Sequence, residues 1–182
     1  MPTSQTPPLK LLEKLCNAIA VSGDESEVRT IVMEEIKEYA DDVRVDALGN
    51  VLATRLGRGK KRVKVMLDAH MDEVGLMIVA EDGEGIYRFE EVGGIDARHL
   101  VGKQVYVGKD RAAGVIGGKP IHLMEASERA RKVPIDSLRI DLGLAGKAKV
   151  GDRAGFATKF RRVGPSIMAK AIDDRIGIAT LI

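Results

Sequence analysis

The chain of 182 residues has no tryptophan, one cysteine and only 3% aromatic residues. With Cys16 as its one thiol, no disulfide can close within the chain, and such usage suits a reducing cytoplasm. Cys16 also falls on the apolar face of the first helical pattern, where burial is expected rather than reactivity. Scarce aromatics leave little from which to build a platform for sugar rings. No apolar run approaches the ~20 residues of a membrane-spanning helix. Residues 1–8 carry neither a basic segment nor an apolar core, so the expectation is a disordered lead rather than a secretory leader. A surplus of one charge is missing too: 29 basic and 27 acidic residues leave +2, too near neutral to point to nucleic acid. The local basic cluster at 58–62 lies between strand-like runs and reads as a solvated turn. A cytoplasmic protein with neither nucleic acid nor membrane as partner is the expectation.

What is present is a change of period along the chain. Leu9, Leu11, Leu12, Leu15 and Ile19 predict a helix opened by Pro7 and Pro8, which suit a first turn. Ser22-Gly-Asp24 breaks it, with Asp24 as candidate N-cap. Val28, Ile31, Val32, Ile36 and Tyr39 then predict a second amphipathic helix. Strand-like runs follow at 43–47, 51–56 and 63–69, separated by Leu48-Gly-Asn50 and Gly57-Arg-Gly59 turns. Helices followed by strands predict an α/β class, with helices against a mixed sheet. Over residues 75–164 short apolar runs alternate with Gly-rich turns, the pattern of an inserted small antiparallel β-barrel or sandwich. None of these Gly clusters has the spacing of a phosphate loop. Residues 127–132 are a short helix candidate with a solvated charged face. The expected organisation is 1–74 as the first part of an α/β domain, 75–164 as the inserted barrel, and 165–182 as the return to the α/β domain.

The chemistry concentrates in Val65-Met-Leu-Asp-Ala-His-Met-Asp-Glu-Val-Gly75. Asp68, His70 and Asp72 alternate with Leu67, Ala69 and Met71, so on a strand they would share one face. Imidazole suits zinc, and a nearby carboxylate can hold its second nitrogen and fix the tautomer. The alternative is a hydrogen-bonded histidine at a strand end, flanked by solvated carboxylates. A second apolar run, Ser166-Ile-Met-Ala-Lys-Ala-Ile-Asp-Asp-Arg-Ile-Gly177, also ends in acidic residues. Both could serve only to cap the helix that follows and complement its dipole; Asp174 reads as that cap, and Asp173 as a metal ligand whose place mirrors that of His70. His99 and His122 read as surface or hydrogen-bonded structural residues.

Five segments stand in order along the chain: Ala20-Val-Ser-Gly-Asp-Glu-Ser-Glu-Val-Arg29, Asp46-Ala-Leu-Gly-Asn-Val51, Ala69-His-Met-Asp-Glu-Val-Gly75, Gly114-Val-Ile-Gly-Gly-Lys-Pro-Ile-His-Leu123 and Ala171-Ile-Asp-Asp-Arg-Ile-Gly177. Together they carry a resemblance to the tetrahedral-aminopeptidase, or glutamyl aminopeptidase, family of dinuclear zinc or cobalt exopeptidases. The resemblance implies that His70 ligates one metal, that Asp72 is the catalytic aspartate orienting it, and that Asp173 bridges two Zn or Co ions. It also implies hydrolysis of the N-terminal residue from a peptide substrate, and assembly into homo-oligomers, dimers or larger particles, through the barrel.

Family members are much longer, and their general-base and ligand Glu-Glu pair, a further Asp and a last His have no counterpart here. The helix pattern running to Ile182 lacks a Gly cap, a basic last turn or a following Pro. A truncated chain with a partial site is therefore expected. Two other readings compete: an inactive assembly module built on the barrel, and a glycoside hydrolase using acidic pairs such as Glu90-Glu91 or Asp41-Asp42. The last needs two carboxyls about 5–5.5 Å apart in a cleft, whereas neighbours on a strand point to opposite faces.

Overall fold

A computed structural model describes residues 7–59, 63–129 and 133–182. Along the chain come α1 (Pro7–Asn17), α2 (Ser26–Ile36), β1 (Asp42–Val45), β2 (Val51–Thr54), β3 (Gly75–Gly83), β4 (Ile86–Val92), β5 (Gln104–Val107) and β6 (Ala112–Gly117). They are followed by the single-turn α3 (Ala126–Arg129), β7 (Arg139–Asp141), β8 (Arg153–Phe156), β9 (Arg161–Val163), β10 (Ser166–Met168) and α4 (Ile172–Leu181). The chain divides into two compact units, residues 1–73 with 159–182, and residues 74–158. Among the described residues no helix is long and apolar enough to cross a membrane.

The second unit is a closed antiparallel barrel in the order β3-β4-β7-β6-β5-β8. Period two fills its interior: Leu76 and Ile78 from β3, Tyr87 and Phe89 from β4, and Val105 and Val107 from β5 are all buried. Ile116, Ile140 and Ala154 add one inward residue each from β6, β7 and β8. Closure leaves no free sheet edge. Gly85 turns β3 into β4 with φ +75°, and a Cβ there would lie 2.2 Å from the Gly143 carbonyl oxygen. Glycine is therefore needed for both conformation and space.

In the first unit, Leu15, Ala18, Ala20, Val28 and Val32 from the α1–α2 region pack with Ile178 of α4. Leu12, Cys16 and Phe160 form a second cluster. The buried Cys16 has its thiol pushed up by burial, as expected of a structural cysteine. The β1–β2 hairpin turns on Asp46, whose carboxylate accepts from the Leu48 and Asn50 N–H groups at 2.9 Å each. β9 and β10 form the second hairpin.

Three expectations need correction. Asp24 does not cap α2: the preceding residue is Glu25, and Asp24 accepts instead from Ser26 Oγ at 3.2 Å. Tyr39 lies beyond the end of α2 and is exposed. The apolar run at 63–69 forms no strand, and Val63, Val65, Met66 and Leu67 are 70–86% exposed. A strand exists only through its ladder, and among the described residues no neighbour pairs with this run. The strands of this unit are two separate hairpins plus one parallel bridge, Val21 to Glu73. Residues 60–62 of the basic turn and 130–132 of the short helix candidate lie outside the described residues.

Candidate metal centre

His70 and Asp72 sit on the irregular segment that follows the exposed apolar run, and Asp173 lies in the distorted first turn of α4. The structure brings all three together. The His70 ring has Nδ1 2.9 Å from Asp72 Oδ1 and Nε2 3.0 Å from Asp173 Oδ1. Asp72 is fixed from its other side, where Oδ2 accepts from Ser22 Oγ. With both nitrogens protonated the ring donates to Asp72 from Nδ1 and to Asp173 from Nε2; with the proton on Nδ1 alone, held by Asp72, Nε2 is free to bind a cation.

The electrostatics follow from these contacts. Partial burial lowers the His70 pKa, but hydrogen bonds to Asp173 and Asp72 together outweigh it and leave the ring above its ordinary value. Asp72 is held below the usual carboxylate range, first by the Ser22 hydroxyl and then, against partial burial, by His70. Asp173 is 94% exposed, so its second oxygen and the space beyond it are open to a ligand.

Asp174 has the other role expected of it. φ and ψ are non-helical at Asp173 and Asp174, so the regular turns of α4 begin after them. Asp174 Oδ1 accepts from the Gly177 N–H at 3.0 Å, three residues on. That is the bond of an N-cap side chain to the third helical residue. Asp68 is exposed and makes no side-chain bond to His70 or Asp72. In the barrel unit, His99 and His122 are exposed on short 3-10 turns.

Behind the pair lies an ionic cluster the sequence reading did not single out. Lys170 Nζ donates to both Glu73 oxygens, at 2.6 and 2.8 Å, and to the Ala18 carbonyl at 2.5 Å. Arg175, fully buried, places Nη2 3.7 Å from Glu73 Oε1 and donates from Nη1 to the Leu15 carbonyl at 2.9 Å. Burial pulls both cations below their ordinary values, and the Glu73 charge opposes it. A signal existed in the sequence: Lys170 stands between alanines in an apolar run, and Arg175 opens Ile-Gly-Ile. Charges so placed are buried when an opposite charge lies near.

The donor types fit one side of a divalent-cation site, an imidazole nitrogen and a carboxylate oxygen with the imidazole oriented by a second carboxylate. They do not complete one. Among the described residues no group of three or more His, Cys, Asp or Glu side chains is gathered as a metal site requires.

The family model described as M42 glutamyl aminopeptidase matches residues 49–182. A putative aminopeptidase of Acetivibrio thermocellus is 34% identical over 178 residues, covering 94% of this chain and 51% of that protein. Among solved structures, the TET aminopeptidase of a marine-sediment thaumarchaeon superposes with a TM-score of 0.86 at 33% identity, over 96% of this chain and 51% of the other. The TET1 peptidase of Pyrococcus horikoshii gives 0.81 at 35%, over 96% and 54%. The chain spans about half the length of the curated relatives it matches. Both site segments, His70 with Asp72 and Asp173, fall inside the matched residues, and the chain belongs to the M42 glutamyl aminopeptidase family.

Proposed function

We propose that the protein is a metal-dependent aminopeptidase that removes the N-terminal residue of peptides, with His70 and Asp173 as metal ligands. One observation carries the reading: His70 Nε2 and an exposed Asp173 oxygen converge at 3.0 Å while Asp72 holds the far side of the ring. His70 and Asp173 would hold the ion, Zn or Co, and Asp173 would be shared between two such ions in a complete site. Divalent ions bound there supply Lewis acidity toward the scissile carbonyl and lower the pKa of the hydrolytic water. Asp72 would keep the His70 Nδ1 proton in place, so that Nε2 is the nitrogen whose proton an ion would displace. Ser22 holds Asp72 in that orientation. Two protein donors are fewer than the three that a catalytic zinc uses, so the remaining donors lie outside the pair described.

The P. horikoshii TET1 peptidase assembles into a tetrahedron or a large octahedral shell. We propose self-assembly for this protein as well, which accords with its family membership.

Calorimetric titration of Zn²⁺ or Co²⁺ tests the site, and an aminoacyl p-nitroanilide panel tests the reaction. His70→Ala and Asp173→Ala should each weaken metal binding and abolish turnover, whereas Asp68→Ala should leave both unchanged. Metal affinity unaltered in both ligand variants sinks the assignment.

A further inference from the structure

We propose that Glu73, Lys170 and Arg175 form a buried positioning clamp that sets Asp173 against His70 by referring both site segments to one stretch of backbone, residues 15–21. The inference rests on the reading of His70 and Asp173 as the site, but not on any ion being bound.

Glu73 directly follows Asp72, and it is held twice. Its N–H donates to the Ala20 carbonyl at 2.8 Å, and its Oε1 accepts from the Ala20 N–H at 3.1 Å. The His70 segment is thereby fixed to the backbone at Ala20 and Val21. The Asp173 segment is held on both sides of the aspartate. Lys170, three residues before it, reaches the Ala18 carbonyl, and Arg175, two residues after it, reaches the Leu15 carbonyl. Glu73 lies between the two cations and ties the segments directly.

The backbone between these anchors is irregular. Ala171 is left-handed at φ +52°, and Asp173 and Asp174 are non-helical. Neither a helix nor a ladder therefore fixes where the Asp173 carboxylate stands, and the flanking anchors must do so. Stability alone gives little reason for such a cluster, since apolar residues of similar volume often serve a core as well as a buried ion pair. This cluster even leaves Arg175 Nε and Nη2 without a hydrogen-bond partner among the described residues. What directional bonds to three fixed carbonyl and amide groups provide, and apolar packing does not, is a defined separation of the two segments.

The chain has three histidines, so long-range ¹H–¹⁵N spectra of the rings are simple enough to test this. Spectra are recorded with chelator present and well below the His70 pKa, so that both nitrogens carry protons; His70 is assigned from the signals lost in His70→Gln. In Glu73→Gln the Nε2 resonance should move to the position it takes in Asp173→Asn, while Nδ1, held by Asp72, stays in place. An Nε2 resonance unchanged in folded Glu73→Gln overturns the proposal. Equal displacement of both nitrogens overturns it too, because the His70 segment would then have loosened as a whole. If Glu73→Gln fails to fold, Arg175→Lys keeps the charge while giving up the Nη1 bond to the Leu15 carbonyl, and the same criteria apply. With chelator present, the result is independent of whether His70 and Asp173 bind metal, which the calorimetric titration decides separately.

Discussion

His70 Nε2 and Asp173 Oδ1 stand 3.0 Å apart although 103 residues separate them in sequence, and the intervening chain includes the whole barrel. The contact joins two acidic segments that each follow an apolar run. Its neighbour on the other ring nitrogen, Asp72, supplies the first prediction. Asp72→Asn retains shape but removes the charge that favours a proton on Nδ1. Metal affinity should fall about 10- to 100-fold, the usual cost of losing a partner that orients a histidine ligand. Competition against a chromophoric chelator measures it, and unchanged affinity would show that the ring needs no such partner.

The same contacts predict a pH dependence of stability. His70 has its folded pKa raised, because its bonds to Asp173 and Asp72 outweigh partial burial. Its contribution is fully present below the ordinary histidine value of about 6.5 and is lost as pH rises through the higher folded value. Asp72 is lowered, chiefly by Ser22, so its contribution is present above about 3.9 and is lost as pH falls through the lower folded value. The two overlap in mildly acidic solution. Asp173→Asn should therefore reduce urea stability at pH 5–6 more than at pH 8–9. An equal loss at both would detach Asp173 from the charge on the ring.

Much of this arrangement is legible in the sequence wherever a local rule decides it. α1 follows from the 3.6-residue period of Leu11, Leu12 and Leu15 behind two prolines, and the barrel from short apolar runs set between Gly-rich turns. Asp174 is readable as a cap because its partner is only three residues away. What fails is whatever depends on a partner far along the chain. An apolar run at 63–69 signals a tendency to form a strand but names no neighbour, and among the described residues none pairs with it. The apolar residues around Lys170 and Arg175 hint at burial, but their partner Glu73, about a hundred positions away, is not named by any local pattern.

Asp174 and Gly177 make a sign-sensitive pair. A Cβ on Gly177 would lie 2.3 Å from Asp174 Oδ1 and 2.6 Å from Oδ2. Alanine in place of a helical glycine ordinarily gains about 1 kcal/mol, while loss of a cap costs about 1 kcal/mol. In the native background Gly177→Ala displaces the cap, and the two effects should nearly cancel. In an Asp174→Ala background there is no carboxylate to displace, so Gly177→Ala should stabilise by about 1 kcal/mol. Denaturant titration of the four chains in the cycle checks this, and purely additive effects would refute the steric coupling.

The barrel offers a contrast between interior and exterior. Ile140 is fully buried between Tyr87 of β4 and Ile116 of β6, its partners in register. Ile140→Ala should cost about 2–5 kcal/mol through lost transfer energy and the cavity left behind. Leu144, largely exposed just after β7, should tolerate alanine to within about 0.5 kcal/mol. Comparable losses at the two positions would contradict the assignment of the barrel interior.

The exposed run before His70 makes the last prediction. Val65 and Met66 are exposed and join no ladder among the described residues, so their side chains contribute little packing, while a β-prone apolar run left outside a sheet invites strand pairing between molecules. Val65→Lys with Met66→Lys should leave unfolding free energy within about 0.5 kcal/mol of the parent, as surface changes do. It should also slow the rise of light scattering on concentration, because a charge on an exposed strand-prone run opposes its pairing. A loss of several kcal/mol in the double variant would mean that this run is packed in solution, and that its strand-like sequence finds a neighbour after all.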